Sequence, residues 1–103
     1  MSYKKINFTN KRGLNLVGRI DFPIDQKPLT YAVFAHVFTG NKDLLGAKYV
    51  SKALVHEGIA VLRFDFTGLG ESEGDFSETN FTTNVEDINA AQIFLLKIMR
   101  RPL

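Results

Sequence analysis

The feature that most constrains the fold is a pair of apolar segments separated by an amphipathic one. Tyr31–Phe38 and Ile59–Phe66 are almost continuously apolar and rich in β-branched and aromatic residues, which is typical of strands buried on both faces. Leu44–Glu57 between them repeats apolar residues at helical spacing, and Gly58 follows it at a position where helices commonly end. A strand, a helix and a strand in this order predict a right-handed crossover between parallel strands.

Segments on either side of this unit complete the predicted order of elements. Ile6–Asn10 and Leu14–Phe22 alternate apolar and polar residues around a glycine-containing turn, which predicts a β-hairpin with one solvated face. Thr83 and Glu86 have the spacing of a capping box, so a last helix is predicted to begin there and to end near Arg100. The fold class is therefore α/β with the order ββ-βαβ-α, in a single domain that takes up all 103 residues.

Composition excludes several classes of function. The chain has no cysteine, which excludes a disulfide scaffold, a thiolate metal centre and a cysteine nucleophile, and we predict neither a cofactor nor a metal site. A net charge of +2 gives little neutralisation of phosphates, so no nucleic-acid partner is expected. No apolar run approaches the ~18 residues of a membrane span, so we expect no membrane association and a cytoplasmic location.

The glycine-rich, acidic loop predicted over residues 67–81 invites two ligand-binding interpretations, and both fail. Gly68 and Gly70 begin a dinucleotide-binding fingerprint, but Glu73 stands where the third glycine is required and no helix follows at once. The alternating acidic residues suggest a calcium loop, but Phe76 occupies the position of its obligatory turn glycine. A solvated acidic loop is the simpler interpretation.

The same loop contains a literal G-x-S-x-G pattern centred on Ser72. A nucleophile elbow needs a strand that runs directly into a tight turn and then a helix, and the predicted strand and helix are both several residues away. We therefore interpret the match as fortuitous. The alternative is a small hydrolytic site of its own, in which His36 acts as the base towards Ser72 with a carboxylate nearby.

Three stretches together resemble the α/β-hydrolase family: Phe34–Asp43, Asp65–Gly74 and Asn84–Ala91. The first is similar to the oxyanion-loop segment, the second to the glycine-rich loop after the fourth strand, and the third to the helix that leads into the nucleophile strand. Within the family, the chain most resembles the hydrolase part of proteins in which it is fused to an OsmC-like domain. The resemblance implies a serine hydrolase of the esterase, acyl-hydrolase or peptidyl-hydrolase class.

The resemblance also implies which residues belong to a site. Backbone N–H groups of the first loop would supply one half of an oxyanion hole, His36 would hold the neighbouring glycine-rich loop, and Asp65 would order that loop. The implied residues are His36, Val37, Phe38 and Thr39 in the first loop and Asp65, Gly68, Gly70 and Ser72 in the second.

Two departures and one omission accompany the resemblance. Val37 stands where the family usually has glycine, and Thr67 stands where arginine is common. The family's nucleophile, catalytic acid and catalytic histidine all follow the last helix, so the resemblance implies a truncated domain that is inactive alone.

Truncation at this point would also expose a strand. The strand Tyr31–Phe38 is central in the family sheet, so in this chain it would form an open apolar edge. The last helix is more apolar than a one-sided surface helix, notably over Ile93–Met99. The alternative function is therefore a non-catalytic module that forms a homo-oligomer through this strand and this helix.

Overall fold

The computed structural model describes residues 2–25, 27–35 and 45–100. Their elements follow the predicted order ββ-βαβ-α, so the α/β fold class is confirmed. The elements are β1 (Ser2–Thr9), β2 (Asn15–Phe22), β3 (Thr30–Phe34), α1 (Leu45–His56), β4 (Ile59–Phe64), a short 3₁₀ helix (Phe76–Glu78) and α2 (Phe81–Arg100).

The four strands form one mixed sheet in the order β1-β2-β4-β3. β1 and β2 are the predicted antiparallel hairpin, and β2 continues into the sheet by pairing antiparallel with β4. β3 and β4 are parallel, with Val33 opposite Leu62, and α1 connects them. Among the described residues β3 has β4 as its sole neighbour, so it lies at the edge of the sheet.

Helix α2 covers the face of the sheet that carries the main apolar core. Strand alternation brings the inward side chains of β1, β2 and β4 to this face, where the Phe8 ring contacts the rings of Phe64 and Phe94. The buried residues of this core are Ile6, Phe8, Leu16, Ile20, Ala60, Leu62, Phe64, Phe66, Ala91, Leu95 and Ile98. Burial of this apolar surface is the main favourable contribution to folding.

The opposite face of the sheet carries a buried ion pair beside helix α1. Asp21 and Arg63 are almost fully buried, with Arg63 Nη2 3.0 Å from Asp21 Oδ2. Arg19 contacts the other carboxylate oxygen of Asp21 at 2.7 Å, and its guanidinium lies 4.0 Å from the centre of the Tyr3 ring. The charges therefore compensate one another inside the protein, which a lone buried charge could not do.

The strand predictions differ from the structure in four respects. The first strand spans Ser2–Thr9 rather than Ile6–Asn10. The hairpin was predicted to have one solvated face, but β2 is buried on both faces because α1 packs on the side opposite the main core. The second buried strand ends at Phe64 rather than at Phe66, although Phe66 remains fully buried as the chain turns away. The strand predicted over Tyr31–Phe38 was expected to be buried on both faces, but the side chains of Tyr31–Phe34 are half-buried because β3 lies at the sheet edge. The predicted strand residues 36–38 lie outside the described residues.

The start of the last helix also differs from the prediction. Helix α2 begins at Phe81, and Asn80 and Thr83 bond reciprocally: Thr83 N donates to Asn80 Oδ1 at 3.0 Å, and Asn80 N donates to Thr83 Oγ1 at 2.8 Å. The capping box is therefore one turn earlier than the predicted pair of Thr83 and Glu86. Asparagine caps helices as well as serine does, so both pairs were possible from local signals.

Within the described ranges, no helix combines the length and the apolar character needed to cross a bilayer.

Candidate functional site

The candidate site is the loop over residues 65–80, which leaves the carboxyl end of β4 and leads into α2. Ligands of open α/β sheets bind at this edge, outside the carboxyl ends of parallel strands. Of the predicted site residues, the structure places Asp65, Gly68, Gly70 and Ser72 in this loop. His36, Val37, Phe38 and Thr39 lie outside the described residues.

Ser72 is buried and its hydroxyl bridges two strands. The hydroxyl donates to the carbonyl oxygen of Asp65 and accepts a hydrogen bond from Val17 N at 2.9 Å. Asp65 N in turn donates to Val17 O at 2.9 Å. The serine oxygen thus lies between an N–H of β2 and a carbonyl just past the end of β4, and it satisfies both groups.

This geometry differs from that of a nucleophile elbow. β4 has already ended at Phe64 and α2 begins only at Phe81, so no strand–turn–helix unit presents Ser72. The hydroxyl proton is engaged by a backbone carbonyl rather than by a basic side chain. The helix N-terminus that would stabilise an oxyanion is absent at this serine.

The two glycines of the loop permit close backbone approaches. Gly70 has φ +52°, and a Cβ at this position would lie 2.4 Å from Asp65 Oδ2. The same carboxylate oxygen accepts a hydrogen bond from Glu71 N at 3.0 Å, so the loop closes tightly around the buried Asp65 side chain. Gly68 has φ +78°, and a Cβ there would lie 2.1 Å from Phe76 N. Gly68 and Gly70 are therefore explained by the close packing of the loop backbone, without a bound ligand.

The acidic side chains of the loop bind local partners. Glu71 Oε2 lies 2.6 Å from Lys5 Nζ, and Glu73 Oε1 accepts a hydrogen bond from Asn15 N at 2.7 Å. Asp75 caps the 3₁₀ helix, and hydrogen bonds from the side chain and backbone of Ser77 lower the pKa of its carboxyl. In the part of the chain that the structure describes, no three His, Cys, Asp or Glu side chains are grouped to hold a metal ion.

A buried polar cluster behind this loop was not predicted from the sequence. The Asp87 carboxylate accepts hydrogen bonds from Thr67 N at 2.8 Å, from Thr67 Oγ1 at 2.7 Å and from Asn10 Nδ2 at 3.0 Å. Asn10 Oδ1 accepts from the backbone of the hairpin turn, so the cluster ties the turn, the loop and α2 together. Thr67, noted as a departure from the family's arginine, supplies two of the donors to Asp87. The available signal was an aspartate on the apolar face of α2.

The described residues present no nucleophile paired with a base. His56, the histidine among them, is exposed at the far end of α1, away from the carboxyl edge of the parallel strands. What the loop offers is a rigid wall at that edge, fixed to β1, β2 and α2 by hydrogen bonds and ion pairs.

The chain is similar in structure to esterases. No protein-family model and no curated protein matches it. Among solved structures, Est1E from Butyrivibrio proteoclasticus, solved with ferulic acid bound, has a TM-score of 0.83 and 25% identity over 89% of this chain and 37% of its own. The esterase domain of a Rhodothermus marinus protein is 45% identical over 93% of this chain and 37% of its own, with a TM-score of 0.69. A Pyrococcus furiosus esterase is 26% identical over 91% of this chain and 34% of its own, with a TM-score of 0.78.

These matches define which part of a larger fold the chain represents. The chain spans just over a third of the length of these structures. It matches the N-terminal portion of α/β-hydrolase esterases. The family resemblance seen in the sequence is confirmed at this level.

Proposed function

We propose that this chain supplies the N-terminal part of a serine-hydrolase domain of the esterase class and is inactive without the remainder of such a domain. The observation that carries the proposal is the engagement of Ser72. Its hydroxyl bonds to Val17 and Asp65 and joins β2 to the loop, so it is not available as a nucleophile. The 45% identity to an esterase domain supports the ester class of substrate.

In this role, the chain builds one wall of the site rather than its reacting groups. The loop over residues 65–80 is fixed at the carboxyl edge of the parallel strands. The resemblance assigns the segment of His36, Val37, Phe38 and Thr39 to the oxyanion hole. Acyl or peptidyl substrates, and an OsmC-like fusion partner, stay predictions from the resemblance.

The first experiment tests whether the chain reacts alone. The purified chain is incubated with p-nitrophenyl butyrate and, separately, with a fluorescent fluorophosphonate. We expect no hydrolysis above buffer and no labelling. Labelling that is lost in Ser72→Ala and retained in the matched variant Ser77→Ala would instead establish a site at Ser72.

The second experiment tests whether the chain can serve as part of an esterase. This chain replaces the matching N-terminal portion of the Rhodothermus marinus esterase domain, which it aligns with over 93% of its own length. We expect the folded chimaera to hydrolyse p-nitrophenyl butyrate. A folded chimaera without activity would contradict the proposed role.

A second candidate function is assembly with another copy of the chain through the open edge. β3 pairs with β4 alone among the described residues, so its outer edge carries backbone groups able to pair with a second strand. Phe81, Val85, Leu96 and Met99 are exposed on α2 and, at about 3.6 residues per turn, share the flank of the helix that faces away from β1. An open edge next to an apolar flank favours a twofold pairing of two chains.

Light scattering over a range of concentrations tests this candidate. We expect a discrete dimer for the chain and a monomer for Ala32→Lys, because lysine on an edge strand opposes strand pairing. The control is Asn7→Lys on the solvated side of β1, which leaves the dimer intact. A monomeric chain at every concentration would contradict pairing through β3.

A further inference from the structure

A groove runs along the opposite side of the molecule from β3, between the second half of β1 and one flank of α2. Its volume is about 630 Å³, which lies in the range of small-molecule sites. Its helical wall consists of residues spaced three or four apart, so they share one flank of α2. They are Glu86, Ala90, Ile93, Phe94 and Lys97.

The floor of the groove is aromatic and already ordered. The rings of Phe8 and Phe94 stack with centroids 5.5 Å apart and an angle of 27° between their planes. Ile93, which also lines the groove, has 56% of its surface exposed. The groove therefore presents apolar surface that a ligand could cover without any rearrangement of the core.

The charge along the groove is positive. Glu86 is compensated by Arg12 at 3.1 Å and, more distantly, by Lys11 at 4.0 Å. Lys97, about 16 Å further along the helix at 1.5 Å per residue, makes no ion pair with any residue that the structure describes. An uncompensated ammonium thus borders an apolar floor.

We infer that this groove binds a monocarboxylate with an apolar body, such as an acyl chain or an aromatic ring. Its carboxylate pairs with Lys97, and its apolar body covers Phe94, Ile93 and Ala90 and replaces water there. The groove is separate from the loop over residues 65–80 and from the open edge of β3. The inference therefore does not depend on the proposed hydrolase role.

Fluorescence titration of the purified chain tests the charge requirement. The probe is 11-(dansylamino)undecanoic acid, and its methyl ester is the matched neutral ligand. We expect Lys97→Met to weaken binding of the acid about three- to fivefold, the range of a partly exposed charge pair, and to leave binding of the ester unchanged. The control Lys52→Met, in a separate groove beside α1, changes neither affinity.

A second variant locates the apolar body. Ala90→Trp fills the groove from its helical wall, so we expect it to reduce binding of both acid and ester at least tenfold. Equal affinity of wild type and Lys97→Met for the acid, or no binding of the acid to the wild-type chain, would overturn the proposal. Loss of binding in Lys52→Met would place the ligand in the other groove and would overturn it as well.

Discussion

Replacing Ser72 by alanine distinguishes a structural serine from a catalytic one. In the structure, the hydroxyl satisfies Val17 N–H and the Asp65 carbonyl, and all three residues are buried. The alanine variant would leave both backbone groups without this partner. A catalytic serine, in contrast, can be replaced without a large loss of stability, because its hydroxyl is kept available for substrate.

The expected size of the effect follows from these two bonds. A buried polar group that loses its partner costs about 1–3 kcal/mol. The backbone can relax around the alanine and water can reach one of the groups, so we expect a loss of about 2–4 kcal/mol rather than the sum of the two upper limits. In a chain of this size, that corresponds to a fall in Tm of at least about 8 °C.

Urea unfolding followed by circular dichroism measures this change. We expect the midpoint of Ser72→Ala to fall at an unchanged m-value, which identifies a loss of stability rather than a change in the unfolded state. Ser77→Ala is the matched control, since Ser77 is exposed and its hydroxyl bonds to the exposed Asp75. A loss below about 0.5 kcal/mol in Ser72→Ala, the range of ordinary surface substitutions, would refute the bridging role.

Further predictions concern the ion pair, the loop and the helix cap. Asp21→Ala leaves the Arg63 guanidinium buried without this carboxylate, so we expect a loss of about 3–5 kcal/mol in urea unfolding, and a smaller loss when Arg63→Met is added. Gly70→Ala places a Cβ against the Asp65 carboxylate and strains a positive φ, so its Tm should fall more than that of Asn80→Ala. Asn80→Ala removes the cap of α2 and should cost about 1 kcal/mol by the same unfolding assay. Hydrogen bonds from Ser77 lower the pKa of Asp75 below its unfolded value of 3.8. They therefore contribute stability that is present above pH 3.8 and is lost as the pH falls through the lower pKa of the folded state. Asp75→Asn should flatten the pH dependence of unfolding in that range.

The order of elements was predictable because each has a local signal. The hairpin and the strand–helix–strand unit are signalled by which residues follow one another, and the structure confirms this order of elements. The predicted burial of β3 was wrong because burial depends on whether another strand lies beside it, which no local pattern contains. The start of α2 was misplaced because two overlapping capping signals, one beginning at Asn80 and one at Thr83, are locally equivalent.

The candidate site was predictable only in outline. The distance of Ser72 from any strand or helix argued from the sequence against an elbow, and the bounds of β4 and α2 agree with that argument. The partners of the loop were not predictable, because Lys5, Asn15 and Val17 each precede the loop residue that they bond to by more than fifty residues. Asp87 was missed for the same reason, since its donors lie on two other elements.

The ties between the loop and the hairpin have a consequence for the order in which the protein becomes stable during synthesis. The hairpin leaves the ribosome before residues 63–87, which hold partners of Val17 N–H, Asn10 and Asp21. Contacts of such long sequence separation slow folding, because the intervening chain must be ordered before they form. The hairpin, although it is synthesised before these partners, is therefore expected to gain its full protection from hydrogen exchange only after residues 63–87 have folded.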